Sequence, residues 1–345
     1  MTFFPYSRSL LAAAAVSLLA PLSAQAASAA NCPGLTSGAY VALNTQETDP
    51  AWKVDLLTID AKKLLITESD GSKTQLTAGS ELCAFSTAKG VLLKVANVSG
   101  IFMVQTLNAQ PVVGLPVQAV KLKQLVGTWN FMRQEKDTDG VFYTLNGLMK
   151  INAKGQLSVS LCDASGTTCG KFKATSTVAA NPAGGFTLTN TNGGTERGFA
   201  LAKADGTLMM VTAGIDTTAM TVGMPTTAKT LPNVGDGWSA WEMKVGANGA
   251  AAAIATSTYP VTQTDAVAGT FTRQRAEDCI VDTWHINSGR PGLNERPAAG
   301  YTKCDGTTGT YNNNLAMHMR ETFGFGVYGW DSASARYFGY MIARP

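Results

Sequence analysis

Charge is scarce in this chain. Asp, Glu, Lys and Arg make up 15% of its 345 residues, and the formal net charge is +3. So even a balance gives no electrostatic case for nucleic acid or anionic membranes. Histidine is scarcer still, with His285 and His318 alone. Any His-dependent mechanism must use one of them. The Gly-x-Ser-x-Gly elbow of serine hydrolases is absent: Ser239 stands between Trp238 and Ala240, and Ser165 follows Asp163 by two places. Beyond the first thirty residues no apolar run approaches the roughly 20 residues that a spanning helix needs. A helical period is also missing, apart from Val117–Leu125, whose apolar residues at 117, 120, 122 and 125 predict two turns.

The first thirty residues carry an address. Arg8 precedes an apolar run from Leu10 to Leu22, and Ala24-Gln25-Ala26 follows. A charged start, an apolar centre and an A-x-A exit predict a secretory signal at residues 1–26, cleaved after Ala26. The run is too short and too rich in Ala and Ser for an anchor, and the residues before Cys32 do not form a lipobox. The expected product is an exported, soluble, bacterial-type protein of the periplasm or the medium.

Six cysteines then have an oxidising home: Cys32, Cys83, Cys162, Cys169, Cys279 and Cys304. An even count predicts disulfides, and neighbours in order are the expected partners, although six cysteines allow 15 connectivities. Cys162 and Cys169 flank a Ser165-Gly166 turn that brings their strands together. Their spacings do not suit zinc. Glu135, Asp137 and Asp139 before Gly140 echo a calcium loop, but Asn146 occupies the place of the bidentate Glu, and a hairpin turn accounts for the segment. No cofactor and no metal is predicted.

Strand signals dominate the rest. Val54–Ile59 and Leu208–Thr212 alternate or run β-branched, and turns recur at Asp70-Gly71, Asp139-Gly140, Lys154-Gly155, Asp205-Gly206, Asn248-Gly249 and Asp305-Gly306. Such turns accept the positive φ of tight hairpins. The prediction is an all-β protein of antiparallel meanders. Pro/Gly-rich breaks at 111–116 and 224–237 divide it into a small N-terminal β domain (27–116) followed by β-barrel or β-sandwich units: a second unit (117–230) and an aromatic-rich C-terminal unit (231–345) that shares a sheet system with the second or stands alone. A weak x-Ala-x-Gly-x-x pattern at 152–157, 203–208 and 246–251 reads as reuse of one hairpin turn.

Leu122-Lys123-Gln124-Leu125-Val126-Gly127-Thr128-Trp129 runs from a helical turn into a Gly-x-Trp strand. This resembles the opening of lipocalins and, more loosely, of avidin-like proteins, the calycin-type barrels. The resemblance covers residues 117–162 and implies an eight-stranded barrel from Gly127 to Gly223, with Trp129 as a structural plug at its closed end. The Thr-Asp-Tyr usual in lipocalins is missing. No late Arg clearly matches the one that stacks on the Trp, with Arg197 and Arg336 the nearest substitutes.

The C-terminal unit carries Trp238, Trp241, Trp284 and Trp330, an alternating run Phe323–Trp330, and a long polar loop, Asn287–Pro297, with Arg290 and Arg296. Long loops in compact domains are often functional. Trp284, Arg290, Arg296, Tyr328 and Trp330 are therefore the candidate ligand residues, set against a reading in which period-two aromatics fill a core. The leading expectation is binding of a small apolar or aromatic ligand without chemistry. A protein- or glycan-binding surface module and a periplasmic hydrolase using His285 or His318 are the alternatives.

Overall fold

A computed structural model describes residues 32–44, 54–97, 99–104, 112–136, 142–163, 165–202, 207–214, 219–245, 251–319, 323–328 and 336–344. It is all-β and antiparallel throughout. The expected signal at 1–26 and Trp330 lie outside the described residues, as do the turns at 139–140, 205–206 and 248–249.

Three closed barrels follow one another. The first closes β1 (Gly38–Asn44), β2 (Val54–Asp60), β3 (Leu65–Thr67), β4 (Lys73–Ala78), β5 (Ala84–Thr87), β6 (Leu92–Val95), β7 (Phe102–Val104) and β8 (Val112–Pro116). A single helical turn, α1 (Leu122–Leu125), leads into the second. This middle barrel comprises β9 (Gly127–Lys136), β10 (Phe142–Ile151), β11 (Gln156–Leu161), β12 (Lys173–Ala180), β13 (Phe186–Asn190), β14 (Thr195–Ala202), β15 (Leu208–Gly214) and β16 (Met220–Pro225). The third uses β17 (Gly237–Val245), β18 (Ala251–Asp265), β19 (Thr270–Gln274), β20 (Val281–His285) and β21 (Asn294–Arg296). Then β22 (Ala299–Thr302) and β23 (Thr308–Tyr311) leave the ring as a hairpin. The ring resumes with β24 (Asn314–Met319), β25 (Phe323–Tyr328) and β26 (Arg336–Ala343). Its thinnest seam lies between β20 and β21, where His285 and Glu295 form the one paired position.

Turn chemistry explains the meander. Asp70 Oδ1 accepts from Ser72 N at 2.8 Å while Gly71 takes a φ of 81°, and Asp305 with Thr307 and Gly306 repeats the device. At the next turn Asn152 Oδ1 accepts from Lys154 N and Gln156 N. The two helical turns expected over Val117–Leu125 shrink to one. Val117 N donates to Ala39 O and Gly185 N to Gln118 O, so the first half of the segment is drawn into sheet-like bonds across two barrels.

Alternation along β1 shows how the barrels meet. Tyr40 and Ala42 point into the first barrel, whereas Val41 and Leu43 join a core shared by all three. That shared core takes Val113 and Leu115 from the first barrel and Met132, Val211 and Val222 from the second. The third supplies Trp241, Leu315 and Ile342. These strands are buried on both faces, and each Val, Leu or Met placed there contributes about 1.5–3 kcal/mol of burial. Polar ties reinforce the contact: Tyr340 Oη donates to Gln134 Oε1 at 3.2 Å, and Arg344 pairs with Glu81 at 3.0 Å.

Three disulfides join Cys32–Cys83, Cys162–Cys169 and Cys279–Cys304, and no described cysteine is free.

Candidate functional site

Odd-numbered residues of β9 face the inside of the middle barrel: Trp129, Phe131, Arg133 and Glu135 in ascending order. Trp129 sits lowest. It is buried, and its indole N–H donates to Leu125 O at 2.9 Å, which ties it to α1. The leader 117–125 crosses this end of the barrel. Gln118 accepts from Gly185 N through its carbonyl and from Ala202 N through its side chain. That end is closed.

Above the Trp129 layer lies a cavity of about 190 Å³. Phe131, Met149, Ile151, Leu157, Leu188 and Met210 form its apolar wall. Inward-facing glycines help to make the room. A Cβ on Gly198 would stand 2.1 Å from the Phe186 ring, so the bare backbone lets that ring lie flat against the wall.

Towards the other end the lining turns polar, with Ser176, Asn190, Thr212 and Thr221 beside Arg133 and Glu196. Arg133 is held from three sides. Its Nε donates to Glu135 Oε2 at 2.6 Å, and its Nη1 donates to Glu196 Oε1 at 2.8 Å and to Thr221 Oγ1 at 2.9 Å. Thr212 Oγ1 donates to Glu196 Oε2 at 2.7 Å. Burial works against the Arg133 charge, but Glu196 and Glu135 outweigh it and raise its pKa above the ordinary arginine value. At this end Leu161 is exposed, and Phe172 is exposed just beyond the Cys162–Cys169 loop.

Among the described residues, the third barrel is packed more tightly. Arg273 donates to both carboxylate oxygens of Asp282, at 2.7 and 3.1 Å, and its guanidinium lies 3.9 Å from the Tyr259 ring and 4.8 Å from that of Trp284. The Trp284 indole N–H donates to Asp282 Oδ1 at 3.0 Å, and Arg296 Nη1 reaches Asp282 Oδ2 at 3.4 Å. Burial penalises the Asp282 charge, yet the two arginines and the indole hold its pKa below the usual carboxylate range. Phe271 stacks on Trp284 and meets Trp238 at a tilt, and the space left beside them is about 10 Å³.

Trp284 and Arg296 thus meet inside the third barrel, with the Arg296 guanidinium 5.9 Å from the Trp284 ring. Arg290 lies elsewhere. It leaves the long loop of the third barrel and enters the outer face of the middle one. There Nε donates to Asn130 Oδ1 at 2.6 Å, Nη1 to Gly166 O at 2.5 Å, and Nη2 to Asn146 Oδ1 and Gly147 O. Nη1 also touches Cys162 Sγ at 3.1 Å. These are neutral acceptors, and burial pulls the Arg290 pKa down to about 10, with Asp163 a partial offset. Tyr328 stands on β25, and its side chain is outside the description, as is that of His318. His285 is exposed on the outer face of β20, whereas Asp282 and Trp284 on the same strand point inward. Among the described residues no cluster of His, Cys, Asp and Glu could hold a metal ion.

Sequence reading did not single out Arg133 and Glu196. A signal existed in β9, where period two places an arginine and a glutamate on the face that already holds Trp129 and Phe131.

No family model matches the chain, and no curated protein matches it. Among solved structures it is similar to a protein of unknown function of the DUF3598 family from Nostoc punctiforme PCC 73102. Identity is 8% and the TM-score 0.23, over 65% of this chain and 97% of that one. It is also similar to a double mutant of the vaccine antigen transferrin-binding protein B from Haemophilus parasuis Hp5, at 10% identity and a TM-score of 0.24, over 89% of this chain and 74% of that one.

Proposed function

We propose that the middle barrel binds a small, largely apolar molecule without transforming it, as a calycin-type binding module of an exported protein. The observation that carries this reading is the cavity of about 190 Å³ walled by Phe131, Met149, Ile151, Leu157, Leu188 and Met210. Pockets of this make-up, apolar with a few convergent polar groups, are what small ligands occupy. Three disulfides support an oxidising compartment for such a protein. On this reading the middle of the three units suggested by the sequence is the binding barrel. Trp284 and Arg296 serve to fill the third barrel, and Arg290 fastens that barrel to the middle one.

The test uses the uncharged fluorophore N-phenyl-1-naphthylamine. Its emission rises on entering an apolar cavity, and it should do so with the native protein. Leu188→Trp places an indole in the cavity and should abolish the rise while far-ultraviolet dichroism stays native. Undiminished binding by Leu188→Trp would remove the middle barrel as the site.

A further inference from the structure

Resting on that reading, we propose that the cavity selects ligands bearing a protonated amine head and turns away carboxylates with the same tail. A buried arginine inside a barrel ordinarily attracts an anionic ligand, because a guanidinium in low dielectric requires a counter-charge. Here the chain meets that requirement twice. Glu135 takes Nε at 2.6 Å and Glu196 takes Nη1 at 2.8 Å. Arg133 and Glu196 line the cavity and Glu135 joins them through the Arg133 Nε, so among the described residues the cluster sets one cation against two carboxylates and carries one negative charge in excess. Among the described residues no lysine and no second arginine lines the cavity to cancel it.

The hydrogen bonds keep the excess in place. Thr212 donates to the second oxygen of Glu196, and Thr221 accepts from Arg133, so the cluster is braced by β15 and β16 as well as by β9 and β14. Each carboxylate oxygen accepts two hydrogen bonds, so both carboxylates retain acceptor capacity beyond the bonds to Arg133 and Thr212. An ammonium brings three donors and one positive charge, which neutralises the cluster. A carboxylate would add a third anion in a partly desolvated site, where like charges repel more strongly than in water. The apolar wall from Phe131 to Met210 takes the tail. The fitting ligand is an amphipathic primary amine with a short aliphatic or single-ring body.

Calorimetry on the full chain at neutral pH decides this with three probes sharing one tail: octylammonium, 1-octanol and octanoate. Octylammonium should bind at least about tenfold more tightly than octanol, and octanoate more weakly than both. Glu135→Gln, a partly exposed and conservative change, leaves the cluster neutral and should close the gap between octylammonium and octanol. Adding Glu196→Gln leaves Arg133 unbalanced and should reverse the order in favour of octanoate. Octanoate binding native protein as tightly as octylammonium overturns the proposal, as does an unchanged ratio in Glu135→Gln. Equal binding of octanol and octylammonium overturns the head-group selection alone. Failure of all three probes overturns the cavity reading together with it.

Discussion

The middle and third barrels close the same number of strands and each has arginine inside, but Arg133 and Arg273 do different work. Arg273 is buried inside its barrel, bidentate on Asp282 and against the rings of both Tyr259 and Trp284. Arg133 sits off-centre, near one end, and leaves a cavity of about 190 Å³ between itself and the Trp129 floor. What separates the barrels is side-chain volume on the inward face. The third barrel spends its inward positions on Trp238, Tyr259, Phe271 and Trp284, which bury 150–250 Å² each as a class. The middle barrel also turns Trp129, Phe131 and Phe186 inward, but most of its cavity wall is Met, Leu, Ile and Val, with bare glycine beside it. An eight-stranded ring is just wide enough to be filled or to keep one small space, so inward residue size decides between a solid barrel and a hollow one.

The largest test of that contrast is Asp282→Ala. It leaves Arg273 and Arg296 buried beside each other without their carboxylate, and the protein should lose about 3–5 kcal/mol in denaturant unfolding. The matching change in the middle barrel, Glu135→Ala, should cost about 1 kcal/mol or less, because Arg133 keeps Glu196 and the pair is partly solvated. Equal losses would mean that the two clusters are equivalent and that the cavity is incidental.

Acid sharpens the comparison more gently. The Asp282 pKa is depressed in the folded protein, so the stabilisation it brings is fully present above its unfolded value of about 4. It is lost as pH falls through the lower, folded value. Near-ultraviolet dichroism of the buried Trp284 and Trp238 indoles should fade on acidification below about pH 4. Asp282→Asn should flatten that dependence, and an unchanged profile would show that Asp282 does not set it.

Adding bulk tests the difference in volume directly. Ala316→Leu pushes atoms into the 10 Å³ gap of the third barrel and should cost about 1–3 kcal/mol. Leu188→Trp adds more atoms to the middle barrel and should cost about 1 kcal/mol or less, because the space exists. A large loss in Leu188→Trp would mean the cavity is not open to a larger side chain.

Much of the architecture was legible because it is local. Period-two alternation and turn residues announce antiparallel strands, and the Asp70-Gly71 and Asp305-Gly306 turns use the side-chain bonds that their sequence suggests. Candidate ligand residues were harder to rank. Trp284, Arg290 and Arg296 stand out by residue type, but a tryptophan or arginine looks the same in a sequence whether it fills a core, clasps a neighbouring barrel or meets a ligand. The Arg133 and Glu196 pair escaped notice because its two members are 63 positions apart.

The sequence by itself determined the strands, their order and the turns, since backbone preference and alternation act over a few residues. Only the tertiary structure decided which side chains wall the middle barrel's cavity, which strands are buried on both faces, and that Arg290 crosses to Asn130, 160 positions away. Those outcomes depend on the total volume and charge gathered inside a closed ring, and ring closure is what first brings the contributing residues together.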